Sequence, residues 1–235
     1  MMYDRREIMS FEITECSLIY RKYFPFWDHL TDEQRGLLCA NTTVRSFPKG
    51  TNIHGLEDAC TGAILVVSGC LRAYLLSENG REVTLYRFGT GEVCMLSASC
   101  VLKSITFDVV IDAEEDSEVC IVRGDIMARV ADENLYVENY ALDNAVKRFS
   151  DVVWVMQQIM FLSLDKRIAV FLWDEMSRTG STEIKMTHEQ IAKYISSARE
   201  AVTRMLKYFA GEGILELSRK GIRITDKKKL RELIS

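Results

Sequence analysis

The sequence predicts an α+β protein: an N-terminal antiparallel β-roll (a double-stranded β-helix), one long helix, and a small C-terminal domain of helices and strands. Three observations lead to this prediction. Short apolar runs with turn signals fill residues 44–122, a stretch without Pro or Gly begins near residue 135, and two short helices and two strands follow Gly180. With 235 residues, 48% of them hydrophobic, the chain is long enough for one to two domains with real cores.

The β region consists of runs such as "AILVVSG", "EVTLYRF" and "SEVCIVR", separated by breaks such as "PKG" and "GTGE". Short strands at this spacing are typical of an antiparallel roll or barrel. The clearest hairpin is "LLSENGREVTLYRF", in which Asn79 and Gly80 supply the positive φ that a tight turn needs. We assign residues 1–134 to this domain.

Residues 135–162 are predicted to form one long helix. Six apolar side chains recur along it with spacings of 4, 3, 4, 3 and 4. This alternation is the seam of a coiled coil, and it predicts pairing with a second copy of the chain. The alternative is a helix that packs on its own β-domain. The seam residues are Leu142, Val146, Phe149, Val153, Met156 and Met160.

Residues 163–235 are predicted to form the C-terminal domain. Its first helix spans 163–178, with Ser163 as a candidate N-cap, and ends near Gly180. Thr187 is the predicted N-cap of "HEQIAKYI", and Gln190 completes a capping box.

A tight turn at Ser196 and Ser197 leads from this helix into a second one, "REAVTRMLKYF". Two short strands then follow around Arg219-Lys220-Gly221. Two helices joined by a short turn and followed by a basic-tipped hairpin form a winged helix-turn-helix, in which the second helix would enter a major groove.

The second helix has one polar and one apolar face. At 100° per residue, Arg199, Glu200, Thr203 and Arg204 share one arc, and the residues between and after them fill the other. Arginine matches guanine O6 and N7, and a carboxylate accepts from cytosine N4, so this face suits base reading. The alternative is a solvated face in which Glu200 and Arg204, four residues apart, simply pair.

The charge distribution agrees with binding of a polyanion at the C-terminal end. From Ser163 onward there are 15 Lys+Arg and 10 Asp+Glu, a net charge of +5, whereas residues 1–162 carry −9. A basic end on an acidic body favours nucleic acid as a partner.

Several classes of protein are excluded. The charged start, "MMYDRREIMSFEI", does not resemble a signal peptide, and no apolar run is long enough to span a bilayer. We therefore expect a cytoplasmic protein that does not associate with a membrane. Seven scattered cysteines without a CxxC pair predict mostly reduced thiols. Three histidines without a His-x-His pair argue against a metalloenzyme, and we expect no enzyme.

The motifs resemble those of the Crp/Fnr superfamily of bacterial transcription regulators. "THEQIAKYISSAREAVTRMLKYFAGEGILELSRKGIRITD" is similar to the DNA-binding domain of that family, and "PKGTNIHGLEDACTGAILVVSGCLRAYLLSENGREVTLYRFGTGE" resembles its cyclic-nucleotide-binding-like sensor. The resemblance covers about 20–230. It implies an effector-responsive homodimer that binds double-stranded DNA, with RNA polymerase as a further partner.

The resemblance also implies residue roles. Arg199, Glu200 and Arg204 would read bases, and the Arg-Glu-x-x-x-Arg pattern favours a palindrome with TGTGA-like halves over TTGAT-like ones. The full set of expected DNA contacts is Arg199, Glu200, Thr203, Arg204, Ser197, Thr187, Lys207 and Lys220.

The sensor departs from its relatives. Members that bind cyclic nucleotides carry an arginine for the phosphate, but no Arg occurs here between Arg87 and Arg123. We therefore expect neither cyclic AMP nor cyclic GMP. The N-terminal cysteines, Cys16 and Cys39, lack the tight spacing that an iron–sulfur cluster needs, and lone histidines make haem a poor fit.

We expect no cofactor and an unknown small effector, uncharged or weakly charged, between the roll and the long helix. The alternative is a redox- or metal-responsive regulator that uses Cys94 and Cys100, six residues apart. The candidate pocket residues are Cys94, Leu96, Ser97, Cys100, Val153, Trp154 and Gln157.

Overall fold

The computed structural model describes residues 13–55, 61–95, 109–219 and 221–234. Some residues named in the sequence predictions lie outside these ranges: Leu96, Ser97, Cys100 and Lys220.

The chain divides by its internal contacts into two units. The first comprises 1–75 and 85–151, and the second comprises 76–84 and 152–235. The predicted three-part division of the chain stays a prediction. Within the described ranges, no helix combines the length and the apolar character needed to cross a membrane.

The first unit begins with two short helices. They are α1 (Ile13–Tyr23) and α2 (Asp32–Ala40), with a 3₁₀ turn at Trp27–His29 between them. Thr31 is the N-cap of α2: its hydroxyl accepts from the backbone N–H of Gln34, whose side chain accepts from the N–H of Thr31. This capping box satisfies two of the backbone donors that a helix start leaves open.

Cys16 and Cys39 are joined by a disulfide between α1 and α2 that the sequence did not predict. The other described cysteines are thiols, as expected for most of them: Cys70, Cys94 and Cys120. The Cα atoms of Cys16 and Cys39 are 5.7 Å apart, within the range that a disulfide requires. Both of these residues are buried beside an aromatic cluster that includes Tyr20, Phe24 and Trp27. The two cysteines are 23 residues apart in the chain, so the bond depends on the packing of two helices and no local pattern predicts it.

Two four-stranded sheets form the predicted roll, and every pair whose register is described is antiparallel. The first sheet has the order β1 (Thr42–Phe47), β8 (Ser117–Val122), β3 (Ala63–Ser68), β6 (Val93–Cys94). The second has the order β2 (Asn52–His54), β7 (Val110–Ala113), β4 (Cys70–Leu76), β5 (Glu82–Gly89). The inner faces of the strands supply much of the core, for example Leu65, Val93 and Val122.

The predicted hairpin joins β4 to β5. Gly80 has φ +79°, and its N–H donates to the carbonyl of Ser77, as a tight turn requires. The N–H of Ser77 donates to the carbonyl of Arg81 and closes the loop. The prediction of a turn at Asn79-Gly80 is therefore confirmed.

Two helices follow the roll: α3 (Gly124–Glu133) and α4 (Leu135–Phe161). Val137 and Ala141 of α4 are buried in the core of the first unit. The chain passes from the first unit to the second within α4, between Asp151 and Val152.

The second unit has the predicted winged helix-turn-helix. Its elements are α5 (Leu164–Thr179), β9 (Glu183–Ile184), α6 (His188–Tyr194), α7 (Arg199–Gly211), β10 (Leu215–Ser218), β11 (Gly221–Ile224) and α8 (Lys227–Ile234). Ser163 is the N-cap residue of α5, although its hydroxyl accepts no capping bond from the backbone, and Gly180 ends that helix with φ +67°. The core contains Ile168, Leu172 and Phe209.

Candidate nucleic-acid interface

The helix-turn-helix consists of α6, a four-residue connection (195–198) and α7. Thr187 caps α6 by accepting from the N–H of Gln190, and the Gln190 side chain accepts from the N–H of Thr187, as the sequence predicts. In the turn Ser196 is 3% exposed and has φ +53°. The N–H of Ser197 then donates to the carbonyl of Ala192 at 2.9 Å, which directs the chain into α7.

The two faces of α7 differ in chemistry. Val202, Leu206 and Phe209 are fully buried in the core of the second unit. The opposite face is exposed and carries Arg199, Glu200, Arg204 and Lys207. Burial of the apolar face fixes the rotation of the helix about its axis, so the charged face must point to solvent.

The exposed charges of α7 do not neutralise one another. Within the part of the chain that the structure describes, the side chains of Arg199, Glu200 and Arg204 form no ion pair and no hydrogen bond. The alternative in which Glu200 simply pairs with Arg204 is therefore not realised. Two guanidinium groups and one carboxylate are left available to an external partner.

Thr203 lies on the same face but is half-buried. Its hydroxyl is 3.0 Å from Nδ1 of His188, the first residue of α6. Burial lowers the pKa of His188 from its ordinary value of 6.5, and the positive charges of Arg199 and Lys207 lower it further. Sequence reasoning missed this contact because the two residues are 15 positions apart on different helices.

The wing consists of β10 and β11, in antiparallel register from Leu215–Ile224 to Ser218–Gly221. Gly221 has φ +135°, and a Cβ there would lie 2.2 Å from the carbonyl oxygen of Ile184. Only glycine lets the wing approach β9 this closely. Arg219 is exposed at the wing tip, beside Lys220, which lies outside the described residues.

A cleft of about 200 Å³ separates the start of α6 from the wing. It is lined by Lys185, Met186, Thr187, His188, Ser218, Arg219, Gly221 and Ile222. Two of these residues, Lys185 and Arg219, carry a fixed positive charge, and none is a carboxylate. Such a lining is suited to phosphate oxygens, and Thr187, expected to contact DNA, lies within it.

The turn and the end of α6 are held by residues distant in the chain. Arg81, at the tip of the β4–β5 hairpin, donates to the carbonyl of Ser196 at 2.6 Å. Lys193 forms an ion pair with Glu82 at 2.7 Å, and the Thr84 hydroxyl donates to the backbone carbonyl of Lys193. These contacts join residues more than 100 positions apart, so no spacing rule could have predicted them.

The predicted effector pocket is only partly described. Cys94 belongs to the first unit, is buried, and has its Sγ 3.6 Å from the hydroxyl of Tyr86. Val153, Trp154 and Gln157 belong to the second unit; Val153 is half-buried and the other two are exposed. Leu96, Ser97 and Cys100 lie outside the described residues.

Arg148 on α4 is a buried charged group that the sequence analysis missed. Only 3% of its side chain is exposed, and it forms ion pairs with Glu92 at 3.3 Å and Asp151 at 3.1 Å. Its guanidinium also lies 4.5 Å from the centre of the Tyr86 ring. Burial alone would raise the pKa of Glu92, but the N–H of Gly89 and the charge of Arg148 outweigh it, so the pKa is lowered.

The predicted seam of α4 is largely uncovered in the single chain. Phe149 is 69% exposed and Met160 is 67% exposed, and Leu142, Val146 and Met156 are also exposed. Val153 is half-buried. A stripe of large apolar side chains in water is typical of an interface.

The described residues include no group of three or more His, Cys, Asp or Glu placed to hold a metal ion.

Comparison with known proteins gives matches to both halves of the chain. A model described as the Crp-like helix-turn-helix domain matches residues 166–233, and one described as the cyclic nucleotide-binding domain matches residues 44–134. A crystal structure of a crp/fnr-family protein from Eubacterium rectale is 46% identical, with a TM-score of 0.87, and the match covers 91% of this chain and 99% of that one.

Curated relatives are more distant. "Transcriptional regulatory protein btr" of Bordetella pertussis is 24% identical over 194 residues, which cover 79% of this chain and 78% of that protein. "Cyclic AMP receptor protein" of Thermus thermophilus is 24% identical over 210 residues, which cover 89% of this chain and 96% of that protein.

Proposed function

The chain belongs to the Crp/Fnr family of transcription regulators, and from that premise we propose that it binds a palindromic operator as a homodimer under the control of a small effector. The family assignment brings with it a DNA-binding helix-turn-helix domain.

The observation that carries the proposal is the unpaired charged face of α7. Arg199, Glu200 and Arg204 are exposed and have no partner among the described residues, whereas the opposite face of the helix is buried in the core. A solvated surface helix gains from internal ion pairs, and this one forgoes the pair that its spacing offers. Side chains held in this way are suited to base edges in a major groove.

Phosphate contacts would set the register of α7 on the duplex. Thr187 and Lys207 are exposed and Ser197 is half-buried, so none of the three is closed off from a ligand in solution. Arg219, and Lys220 beside it in the sequence, would add contacts from the wing. Such contacts supply affinity that is the same on every sequence.

We propose TGTGA-like half-sites, with TTGAT-like half-sites as the second choice. The resemblance to the cyclic-AMP-receptor branch, through Arg199, Glu200 and Arg204, supports the first. Two copies related by a two-fold axis would place their α7 helices about one helical turn of DNA apart.

The seam of α4 supports the homodimer. Its large side chains, Phe149 and Met160 among them, are exposed to water in the single chain. A second copy would bury each seam against the same seam of its partner, as isologous symmetry requires.

The distribution of arginines in the sensor domain supports an effector without a strong negative charge. No arginine occurs from residue 88 to residue 122, and Arg148 is already engaged by Glu92 and Asp151. A buried phosphate without a guanidinium partner is costly. We therefore propose neither cyclic nucleotide nor cofactor, and we keep Cys94 and Cys100 as the redox alternative.

The test is binding to a duplex that carries the palindrome, at several salt concentrations and against a scrambled duplex. We expect a steep fall in affinity with salt and a clear preference for the palindrome. Arg204→Ala should lower discrimination at one base position by about 1–3 kcal/mol, with other positions unchanged.

Arg219→Ala is the matched control, because it removes the same charge from the wing. It should weaken binding to every duplex alike and reduce the salt slope by about one. If both variants lowered affinity equally on all sequences, the base-reading role of α7 would be wrong.

A further inference from the structure

One hydrogen bond connects the first helix of the helix-turn-helix with the reading face of the second. The Thr203 hydroxyl and Nδ1 of His188 are 3.0 Å apart, and both side chains are half-buried. Thr203 lies between Glu200 and Arg204 in the sequence of α7. His188, which lies on the other helix of the motif, can therefore control how Thr203 presents its hydroxyl.

A threonine hydroxyl has one hydrogen and two lone pairs. If the O–H donates to an unprotonated Nδ1, only lone pairs remain for a second partner, and Thr203 can only accept. If Nδ1 carries a proton and donates to Oγ1, the O–H is released and Thr203 can donate. The proton on His188 thus determines the sense of the outward hydrogen bond.

We propose that His188 sets the base preference of Thr203, which changes when the imidazole gains a proton. This inference rests on the proposed function of α7 as the reading helix. With His188 neutral and Nδ1 accepting, Thr203 favours the amino groups of adenine N6 or cytosine N4. With His188 charged, Thr203 favours acceptors: guanine O6 and N7, adenine N7 and thymine O4.

The charges around His188 keep it neutral in the unbound protein. Arg199 and Lys207 face it from α7, and Lys185 and Arg219 line the cleft that His188 also borders. No carboxylate lines that cleft among its described residues. Burial and the positive charges of Arg199 and Lys207 lower the pKa of His188 below 6.5, so it is unprotonated at neutral pH.

A bound duplex acts in the opposite direction. Its phosphates offset the cations that face His188, which raises the pKa of the imidazole in the complex. Proton uptake and base preference are therefore linked, and acid shifts the complex toward the state in which Thr203 donates.

The experiment measures affinities of the full chain for a panel of palindromic duplexes at about pH 8 and about pH 5.5, on either side of the ordinary histidine range. Each half-site position is changed symmetrically to all four bases. At one position we expect the preferred base to change by about 3- to 10-fold between the two pH values, the effect of one hydrogen bond. The position read by Arg204 should show no such change.

Two variants separate this role from structural support. Thr203→Val keeps the shape of the side chain and should abolish the preference at that position at both pH values. His188→Gln cannot titrate and should retain a preference that no longer depends on pH. If His188 merely supported the fold, His188→Gln would weaken binding to all duplexes alike.

The outcomes distinguish this inference from the function on which it rests. If the palindrome is preferred but the wild-type preferences are the same at both pH values, the inference is overturned and the proposed function stands. If no duplex is preferred over a scrambled one at either pH, both fail. ¹⁵N chemical shifts of the wild-type ring give a test without variants: an unprotonated Nδ1 at about pH 8 supports the inference, and a protonated one overturns it.

Discussion

Helices α4 and α7 distribute charged and apolar side chains in opposite ways. On α7 the apolar residues Val202, Leu206 and Phe209 are buried and the arginines are exposed. On α4 the aromatic Phe149 is exposed, whereas Arg148, its neighbour in the chain, is buried.

This contrast indicates the partner that each helix needs. The amphipathic pattern of α7 is the ordinary one for a surface helix: its apolar face is buried in its own domain, and its exposed charges are accessible to a polyanion. Along its exposed stripe α4 has the opposite pattern, with apolar side chains in water, and such a stripe is typical of a surface that another apolar surface covers.

The largest effect is expected from Phe149→Glu, which places a charge in the exposed stripe of α4. We expect the proposed dimer to dissociate and the affinity for the proposed palindrome to fall by about 1,000-fold, because the two half-sites are then no longer bound together. Sedimentation velocity and duplex titration measure the two effects.

Leu18→Glu is the control for that change. Leu18 is 68% exposed on α1, so it is comparable to Phe149 in exposure but lies outside the seam. It should leave both mass and affinity unchanged. A Phe149→Glu protein that remained dimeric would show that α4 is not the interface.

A smaller effect is expected from Arg148→Met, which removes the buried charge of α4 at similar volume. Glu92 then keeps its charge in a partly buried site without this partner, and we expect the unfolding free energy of the first unit to fall by about 2 kcal/mol. Arg148→Met combined with Glu92→Gln should recover part of the loss, and denaturant unfolding measures both. Equal losses in the single and double variants would contradict the ion-pair explanation.

The smallest effect concerns the helix caps. Thr187→Ala removes the cap of α6 and should lower the stability of the second unit by about 1 kcal/mol. Thr31→Ala removes an identical capping box from α2 in the first unit and should cost about the same there. Duplex binding separates the two, because only Thr187 is expected to contact phosphate. Equal affinities in the two variants would remove Thr187 from the interface.

The features that the sequence predicted correctly depend on neighbours in the chain. The Thr187–Gln190 capping box, the turn at Gly80 and the two faces of α7 all follow from periods or motifs shorter than twenty residues. Local side-chain chemistry and helical spacing predict them, and a single sequence shows both directly.

The features that were missed join distant parts of the chain. Arg81 donates a hydrogen bond to Ser196, 115 residues away in the chain, and Arg148 donates one to Glu92, 56 residues away. In the sequence Arg81, Arg148 and Glu92 are polar side chains whose partners no motif indicates. Their roles depend on which strand or helix the fold places opposite each of them, and a single sequence contains no local pattern for that.

The disulfide between Cys16 and Cys39 makes the first unit sensitive to its chemical surroundings. Closing a loop of this length removes freedom from the unfolded chain and is worth about 3 kcal/mol. No described cysteine lies in the second unit. Handling with a thiol reductant is therefore expected to destabilise the first unit and to leave the stability of the second unit unchanged.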